Sequence, residues 1–346
     1  MATIINRGAY QFQATIRRKG YPTQSKTFET RRDAESWATV VESEMVRGTF
    51  IPRGEAERTT LGAALERYRS EITPDKKGHS QEERRIKAWL SDPLAKRSLA
   101  SLTSTDFATF RDERKKTASP STVIKDLALI SHLYTIAIKE WRFPLQNPIQ
   151  NIRKPKLPGG RNRRLTPEEE IYLLRACRES KAPALETIVR LAIETAMRRG
   201  EILGMQWRHV DLSKQTVFLE DTKNGDSRSV LLSSRAVQVL RAWPRSFDGR
   251  VFPQYSHVDS FKKGWGHALA SAKKTYQQDC LAQGVLPDST FLVDLRFHDL
   301  RHEATSRLAE KLPNVLELAA VTGHKDLRML KRYYHPKAED LAKKLG

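Results

Sequence analysis

The stretch ETAMRRGEILGMQWRHVDLSKQTVFLEDTKNGDSRSVLLSS, residues 194–234, decides the fold class, because it interrupts a segment, Leu165 to the C-terminus, otherwise patterned for helices. Arg198 and Glu201 stand three apart, a spacing that lets them share a helix face. From Gln215 to Leu232 the pattern changes. QTVFLEDT and SRSVLLSS read as extended runs joined through Lys223-Asn224-Gly225-Asp226, and Asn-Gly is the strongest short hairpin signal. Lys223 therefore sits at a hairpin tip. On either side the pattern is helical. Thr166-Pro167-Glu168-Glu169-Glu170 opens the segment with Thr at the N-cap, Pro in the first turn and acids at the positive end of the helix dipole.

Working outward, residues 59–150 hold four helical patterns: TTLGAALERYRSEI, EERRIKAWLSDPL, STDFATFRDERKK and STVIKDLALISHLYTIAIKEW. Each is opened by Ser or Thr or closed by Pro or Gly. Nearer the start, Tyr10, Phe12, Ala14 and Ile16 alternate with polar residues, and a second extended run reaches Phe28, which predicts a hairpin. Thr30 then caps a helix carrying Ala34, Trp37, Ala38, Val41 and Met45 at three-and-four spacing. The segments 50–58 (FIPRGEAER) and 147–164 (NPIQNIRKPKLPGGRNRR) lack periodicity and read as linkers, the second extended and able to follow a DNA backbone. After Pro336 a last short helix is expected, with Ala338, Leu341, Ala342 and Leu345 on one stripe. The fold class is mainly α with small β elements, in three domains: 1–58, 59–163 and 164–346. No period of 20–50 residues repeats, which excludes a solenoid.

The 346 residues carry 61 Lys and Arg against 41 Asp and Glu, a formal charge of +20. That surplus is the footprint of a partner with dense phosphate charge. Half of it lies in 59–163, so the helical middle is the expected phosphate-tracking surface. Two cysteines, Cys177 and Cys280, exclude a disulfide framework and a four-cysteine zinc site. No apolar run is expected to reach the roughly 18–20 residues of a membrane span. The start MATIINRGAYQF lacks a signal-peptide core, so a cytoplasmic protein without membrane partners is expected.

Five small constellations in the last segment could carry chemistry. They are Arg198 with Glu201, Lys223, FHDLRHEAT (297–305) with His298, Arg301 and His302, VTGHKDL (321–327) with His324 after a helix-ending Gly323, and MLKRYYHP (329–336). His298 and His302 are four apart, as metal ligands often are. Asp299, however, stands where the zincin pattern needs Glu, and Arg301 would repel a cation. No metal site is read.

Taken in order, Arg198 with Glu201, Lys223 on a hairpin, His298-x-x-Arg301, Gly323-His324 and Tyr333 resemble the active site of the tyrosine recombinases of the phage integrase family. The family's T-G-x-R-x-x-E appears as TAMRRGE, with Ala196 in place of Gly, and the H-x-L-R-H box is intact. In the family the nucleophile follows Gly-His by nine residues and precedes one residue and a His, which selects Tyr333 over Tyr334. The wording of ETAMRRGEI, FHDLRHEA and MLKRY is closest to shufflon-type DNA invertases and prophage integrases.

The resemblance implies a catalytic domain of tyrosine recombinase type over 164–346. It further implies a core-site DNA-binding domain over 59–163 and an arm-type DNA-binding domain over 1–58. It implies double-stranded DNA with paired core sites as partner, a homotetramer on two duplexes with accessory DNA-bending proteins, and a bacterial or phage origin near the nucleoid. The roles it implies are Tyr333 as nucleophile, Lys223 as general acid, and Arg198, Arg301, His298 and His324 on the phosphate, with Glu201 and His302 supporting and His298 as acceptor of the tyrosine proton. This chemistry needs no cofactor: planar guanidiniums neutralise the phosphate, and a phosphotyrosine conserves the bond energy. A type IB topoisomerase shares the site but relaxes supercoils. A non-catalytic DNA-binding regulator would leave the ordered set unexplained.

Overall fold

The computed structural model describes residues 2–48, 50, 54–182, 184–220, 227–255 and 258–333, with the side chains of 258 and 259 set aside. Lys223 at the hairpin tip, Tyr334 and the helix read after Pro336 lie outside the described residues. The chain divides into two compact units, Met1–Gly159 and Gly160–Gly346.

In the first unit, β1 (Ala2–Gly8), β2 (Gln11–Ile16) and β3 (Gln24–Phe28) form an antiparallel sheet in chain order, with Ala2 opposite Ile16 and Phe12 opposite Phe28. The alternation in sequence predicts only the later two strands. β1 escapes because most of ATIINRG is exposed on both faces, so no burial pattern is written into it. Thr30 caps α1 (Arg31–Val46) by accepting from the Asp33 amide at 3.1 Å. One face of α1 then buries Ala38, Val41 and Met45 with Ile16.

The reading of 50–58 as a linker needs correction: Gly54–Arg58 forms a short helix, α2, with Ala56 buried. Five residues are too few for a helical period to show. The four expected helices follow as α3 (Leu61–Glu71), α4 (His79–Leu90), α5 (Ser104–Lys115) and α6 (Pro120–Lys139). They enclose Leu65, Tyr68, Trp89, Phe107, Leu127 and Tyr134. α6 also corrects the expectation that no run is of membrane length, since its 20 residues are long and apolar enough to cross a bilayer. Here Val123, Leu127, Ile130, Leu133 and Ala137 are spent on the helical core instead. The first part of 147–164 is likewise no free linker. Asn147 donates to the Ser131 carbonyl at 2.9 Å, and Ile149 and Ile152 are buried in the same core.

The second unit opens with α7 (Pro167–Arg178), where Thr166 and Glu169 cap each other reciprocally, side chain to amide, at 3.2 and 3.1 Å. There follow α8 (Ala184–Thr195), the single turn and a half of α9 (Arg199–Leu203), and an antiparallel sheet of β4 (Val210–Asp211), β5 (Thr216–Leu219) and β6 (Arg228–Leu231). Val217 faces both Val210 and Val230 across this sheet. Then come α10 (Ser234–Arg241), α11 (Val258–Ala282), α12 (Phe297–Lys311) and α13 (Val315–Thr322). Short 3-10 turns at Leu327–Met329 and Lys331–Tyr333 end the described chain. The core packs Leu173, Ile188, Leu191, Val217, Phe252, Phe261 and Leu300 together. The described chain is thus mainly helical with two small antiparallel sheets.

Candidate active site

The site is built where the end of α8, the middle of α12 and the end of α13 meet. α8 stops at Thr195, whose hydroxyl donates back to the Leu191 carbonyl at 2.5 Å. The next residue, Ala196, takes a left-handed φ of 52° and turns the chain so that its carbonyl faces α12. Arg301, in α12 and only 4% exposed, fills that space. Its guanidinium donates to the Ala196 carbonyl at 2.5 Å and to the Thr322 carbonyl at 2.6 Å. One buried cation therefore joins two boxes that lie more than a hundred residues apart in the chain. Burial and the neighbouring Arg198 push its pKa down to about 10, so it still carries its charge at neutral pH.

Arg198 is not on a helix face with Glu201, as the spacing predicts, but at the N-cap of α9, with Glu201 at its third position. The Glu201 carboxylate accepts from the Arg198 amide at 2.8 Å and from its guanidinium at 2.7 Å. The same guanidinium reaches the Gly323 carbonyl at 3.4 Å. A three-residue spacing serves a cap as well as a face, and the tight turn at Ala196 selects the cap.

Glu201 has a second cationic partner that the sequence reading missed. Arg228 on β6 donates to both carboxylate oxygens, at 3.1 and 2.8 Å. Burial acts to raise the Glu201 pKa, but the Arg198 amide and the two guanidiniums outweigh it and hold the group below its ordinary value. The signal for Arg228 was available: strand alternation puts it on the same face as the buried Val230, and an inward arginine requires a carboxylate.

Arg228 also explains Gly323. That residue closes α13 with φ 68°, and a Cβ there would stand 2.5 Å from the Arg228 guanidinium. Gly323→Ala should lower stability by about 1–2 kcal/mol from the left-handed backbone alone, and it should displace Arg228 from Glu201. Chemical unfolding of the two proteins side by side measures this, and equal midpoints would remove the packing argument.

His324 follows immediately. Its Nδ1 lies 2.7 Å from the Thr322 hydroxyl, which itself lies 2.6 Å from the Leu318 carbonyl. With the hydroxyl proton committed to Leu318, Nδ1 is the donor, and Nε2 is left for a ligand. Burial, with Arg301 and Arg198 nearby, drives the His324 pKa down to about 4. His298, Arg198, Arg199, Gly200, Glu201, Arg296 and Phe297 line a cleft of about 620 Å³.

Tyr333 meets α12 from the other side. Its hydroxyl makes a short hydrogen bond with His302 Nδ1, and the His302 ring stands edge-on to His298, with centroids 5.3 Å apart. Burial raises the phenol pKa, opposed by Arg332 and Arg301.

The residue before the tyrosine is held by the start of the unit. Arg332 donates to the Arg161 carbonyl and, at 2.6 Å, to the Asn162 side chain. The end of the basic stretch 147–164 is accordingly not free to follow a phosphate backbone. Arg161 pairs with Asp294 and Asp299 at 2.6 and 2.8 Å, Arg163 with Glu169, and Arg164 with Glu303 at 2.9 Å. Asp299 and Glu303 are buried carboxylates on α12, and each demands a cation.

Of the predicted site residues, the structure brings Arg198, Glu201, Arg301, His324, His298, His302 and Tyr333 into one connected set. The cleft sets Arg198, Arg199 and Arg296 against the single carboxylate of Glu201, which suits an oxyanion, while the Tyr333 phenol lines a second pocket with His302, Arg161 and Arg332.

Comparison with known proteins bears on this geometry. The phage integrase family pattern matches residues 163–340. The shufflon-specific DNA recombinase of Escherichia coli is 40% identical over 304 residues, covering 85% of this chain and 74% of that protein. A lambda integrase dimer bound to a COC′ core site superposes with a TM-score of 0.61 at 19% identity, covering 81% of this chain and 96% of that one. A lambda integrase tetramer bound to a Holliday junction gives 0.57 at 18% identity, covering 93% and 95%.

Proposed function

Because the chain belongs to the phage integrase family, it is a site-specific DNA recombinase of the tyrosine type, and we propose that Tyr333 is its nucleophile. The observation that carries this assignment is the Tyr333 hydroxyl seated on His302, one residue from the buried Arg301.

The scissile phosphate enters the cleft and accepts hydrogen bonds from Arg198, Arg301 and His298, and from His324 Nε2 once the phosphate's own charge has raised that imidazole's proton affinity, so that the charge building on its non-bridging oxygens is neutralised. The Tyr333 oxygen attacks phosphorus, the bond to the 5′ oxygen breaks, and Lys223 supplies that oxygen with a proton. A 3′-phosphotyrosine and a free 5′ hydroxyl result. Attack by a 5′ hydroxyl from the partner strand reverses the chemistry and rejoins the DNA without ATP or metal.

In this reading residues 59–163 grip core-site DNA and residues 1–58 take an arm-type site. A homotetramer pairs two duplexes, a reading supported by the lambda integrase tetramer bound to a Holliday junction. The outcome is integration, excision or inversion in a bacterial cytoplasm, with DNA-bending proteins as further partners.

Labelled duplex DNA taken from the flanks of the encoding gene tests the proposal. Incubation with the protein in EDTA should give an adduct that survives denaturing electrophoresis. Absence of the adduct, or its loss on chelation, would overturn the phosphotyrosine mechanism.

A further inference from the structure

We infer that His302, and not His298, is the catalytic base that takes the Tyr333 proton, an inference resting on the assignment of Tyr333 as nucleophile. The two residues occupy different sides of the site. His298 is exposed to the cleft lined by Arg198 and Arg296, where a phosphate would lie. His302 is half-buried, with its Nδ1 on the tyrosine hydroxyl and its ring nearly parallel to the phenol, the planes 28° apart.

The direction of that hydrogen bond follows from the surroundings. Burial keeps the phenol protonated, with its pKa above the ordinary value. Burial, then His298 and Arg332, lowers His302 to about 4, so at neutral pH the imidazole is uncharged. A neutral imidazole keeps one bare nitrogen, and with its proton on Nε2 it accepts from the phenol through Nδ1. Among the described residues Tyr333 has no other hydrogen-bond partner for that proton.

The groups around His302 also give it a reason to wait for substrate. His298 and Arg301 face it from α12, and Arg332 from the last turn, while Asp299 opposes them. A phosphodiester arriving among these cations adds the negative charge that raises the imidazole's proton affinity. The base becomes competent when there is something to cut.

The step balances. As the Tyr333 oxygen forms its bond to phosphorus, its proton passes to His302 Nδ1, and the P–O5′ bond breaks with Lys223 protonating the leaving oxygen. On rejoining, the imidazolium returns its proton to the tyrosine oxygen as that oxygen departs, and the attacking 5′ hydroxyl gives its proton back to Lys223.

Single-turnover cleavage of a nicked duplex from the gene's flanks, with the full-length protein, tests the assignment. His302→Gln should bind this DNA with normal affinity in gel shifts and form the covalent adduct about 10²-fold more slowly. Placing 3,5-difluorotyrosine at position 333, whose phenol ionises near neutral pH, should restore most of that loss in His302→Gln. It should not restore His298→Gln, whose defect lies on the phosphate. Undiminished cleavage by His302→Gln, or a loss that fluorination leaves untouched, would overturn the inference. An adduct formed by Tyr333→Phe would instead sink the underlying assignment of the nucleophile, so the two failures are distinguishable.

Discussion

Tyr333→Phe should bind DNA as tightly as the unaltered protein while losing covalent attachment by about 10⁴-fold or more, the scale on which removal of a nucleophile acts. The substitution deletes the attacking oxygen and leaves the ring. The ring lies beside His302, with centroids 6.0 Å apart, and that contact does not depend on the hydroxyl. The lost hydrogen bond to His302 should cost about 1 kcal/mol of stability, too little to unfold a unit built on so many buried aliphatic residues. Denaturing gels for the adduct, gel shifts for binding and chemical unfolding for stability separate these effects. Tyr334→Phe is the control on register. If it were the inactive variant and Tyr333→Phe the active one, the spacing argument from His324 would be wrong.

Arg301→Lys is expected to fail twice, although it keeps the charge. The guanidinium spends two of its N–H groups on the Ala196 and Thr322 carbonyls, which leaves further N–H groups for the phosphate the proposed mechanism brings in. A lysine ammonium is a point donor on a flexible stem and cannot span both carbonyls while reaching a phosphate. Leaving one buried carbonyl without a partner costs about 1–3 kcal/mol. Losing a fixed donor from an oxyanion site slows cleavage by roughly 10²–10³-fold. Unfolding midpoints and single-turnover adduct formation should both move. A variant of unchanged stability that cleaves at normal rate would show that Arg301 neither joins the two boxes nor serves the phosphate.

The parts of the site legible in sequence are those set by local spacing. Thr166 to Glu169 was readable as a cap and Gly323 as a helix end, whereas Tyr333 was singled out only through the family's nine-residue distance after Gly-His. What escaped depends on partners far along the chain. Arg228 acts on Glu201 across 27 residues and Arg332 on Asn162 across 170, and no periodicity encodes either. Likewise Ala196 reads as a small departure from the family's glycine. The structure gives that departure a physical content: a left-handed φ of 52°, which costs a Cβ-bearing residue roughly 1–2 kcal/mol and is sustained by the Arg301 bond to its carbonyl. The linkers failed for another reason. A five-residue helix and a proline-rich run with scattered isoleucines bury apolar residues without repeating them.

The hold of Arg161 and Asn162 on Arg332 fixes where a working fragment can begin. The obvious place to cut is Leu165, just before the cap of α7, where regular helix begins again. A fragment starting there loses the Arg161 carbonyl and the Asn162 side chain that Arg332 grips, takes Arg161 from the buried Asp299, and leaves the buried Glu303 with Arg307 but without Arg164, all on the helix that carries Arg301 and His302. Gly160 is part of the same fitting, because a Cβ at that position would stand 2.8 Å from the Arg332 guanidinium. The five residues that look like packaging between two halves are thus a component of the cutting half. Any isolated piece of the second unit, or any chimaera that swaps residues 1–159 for another protein's, must inherit them intact from Gly160 onward.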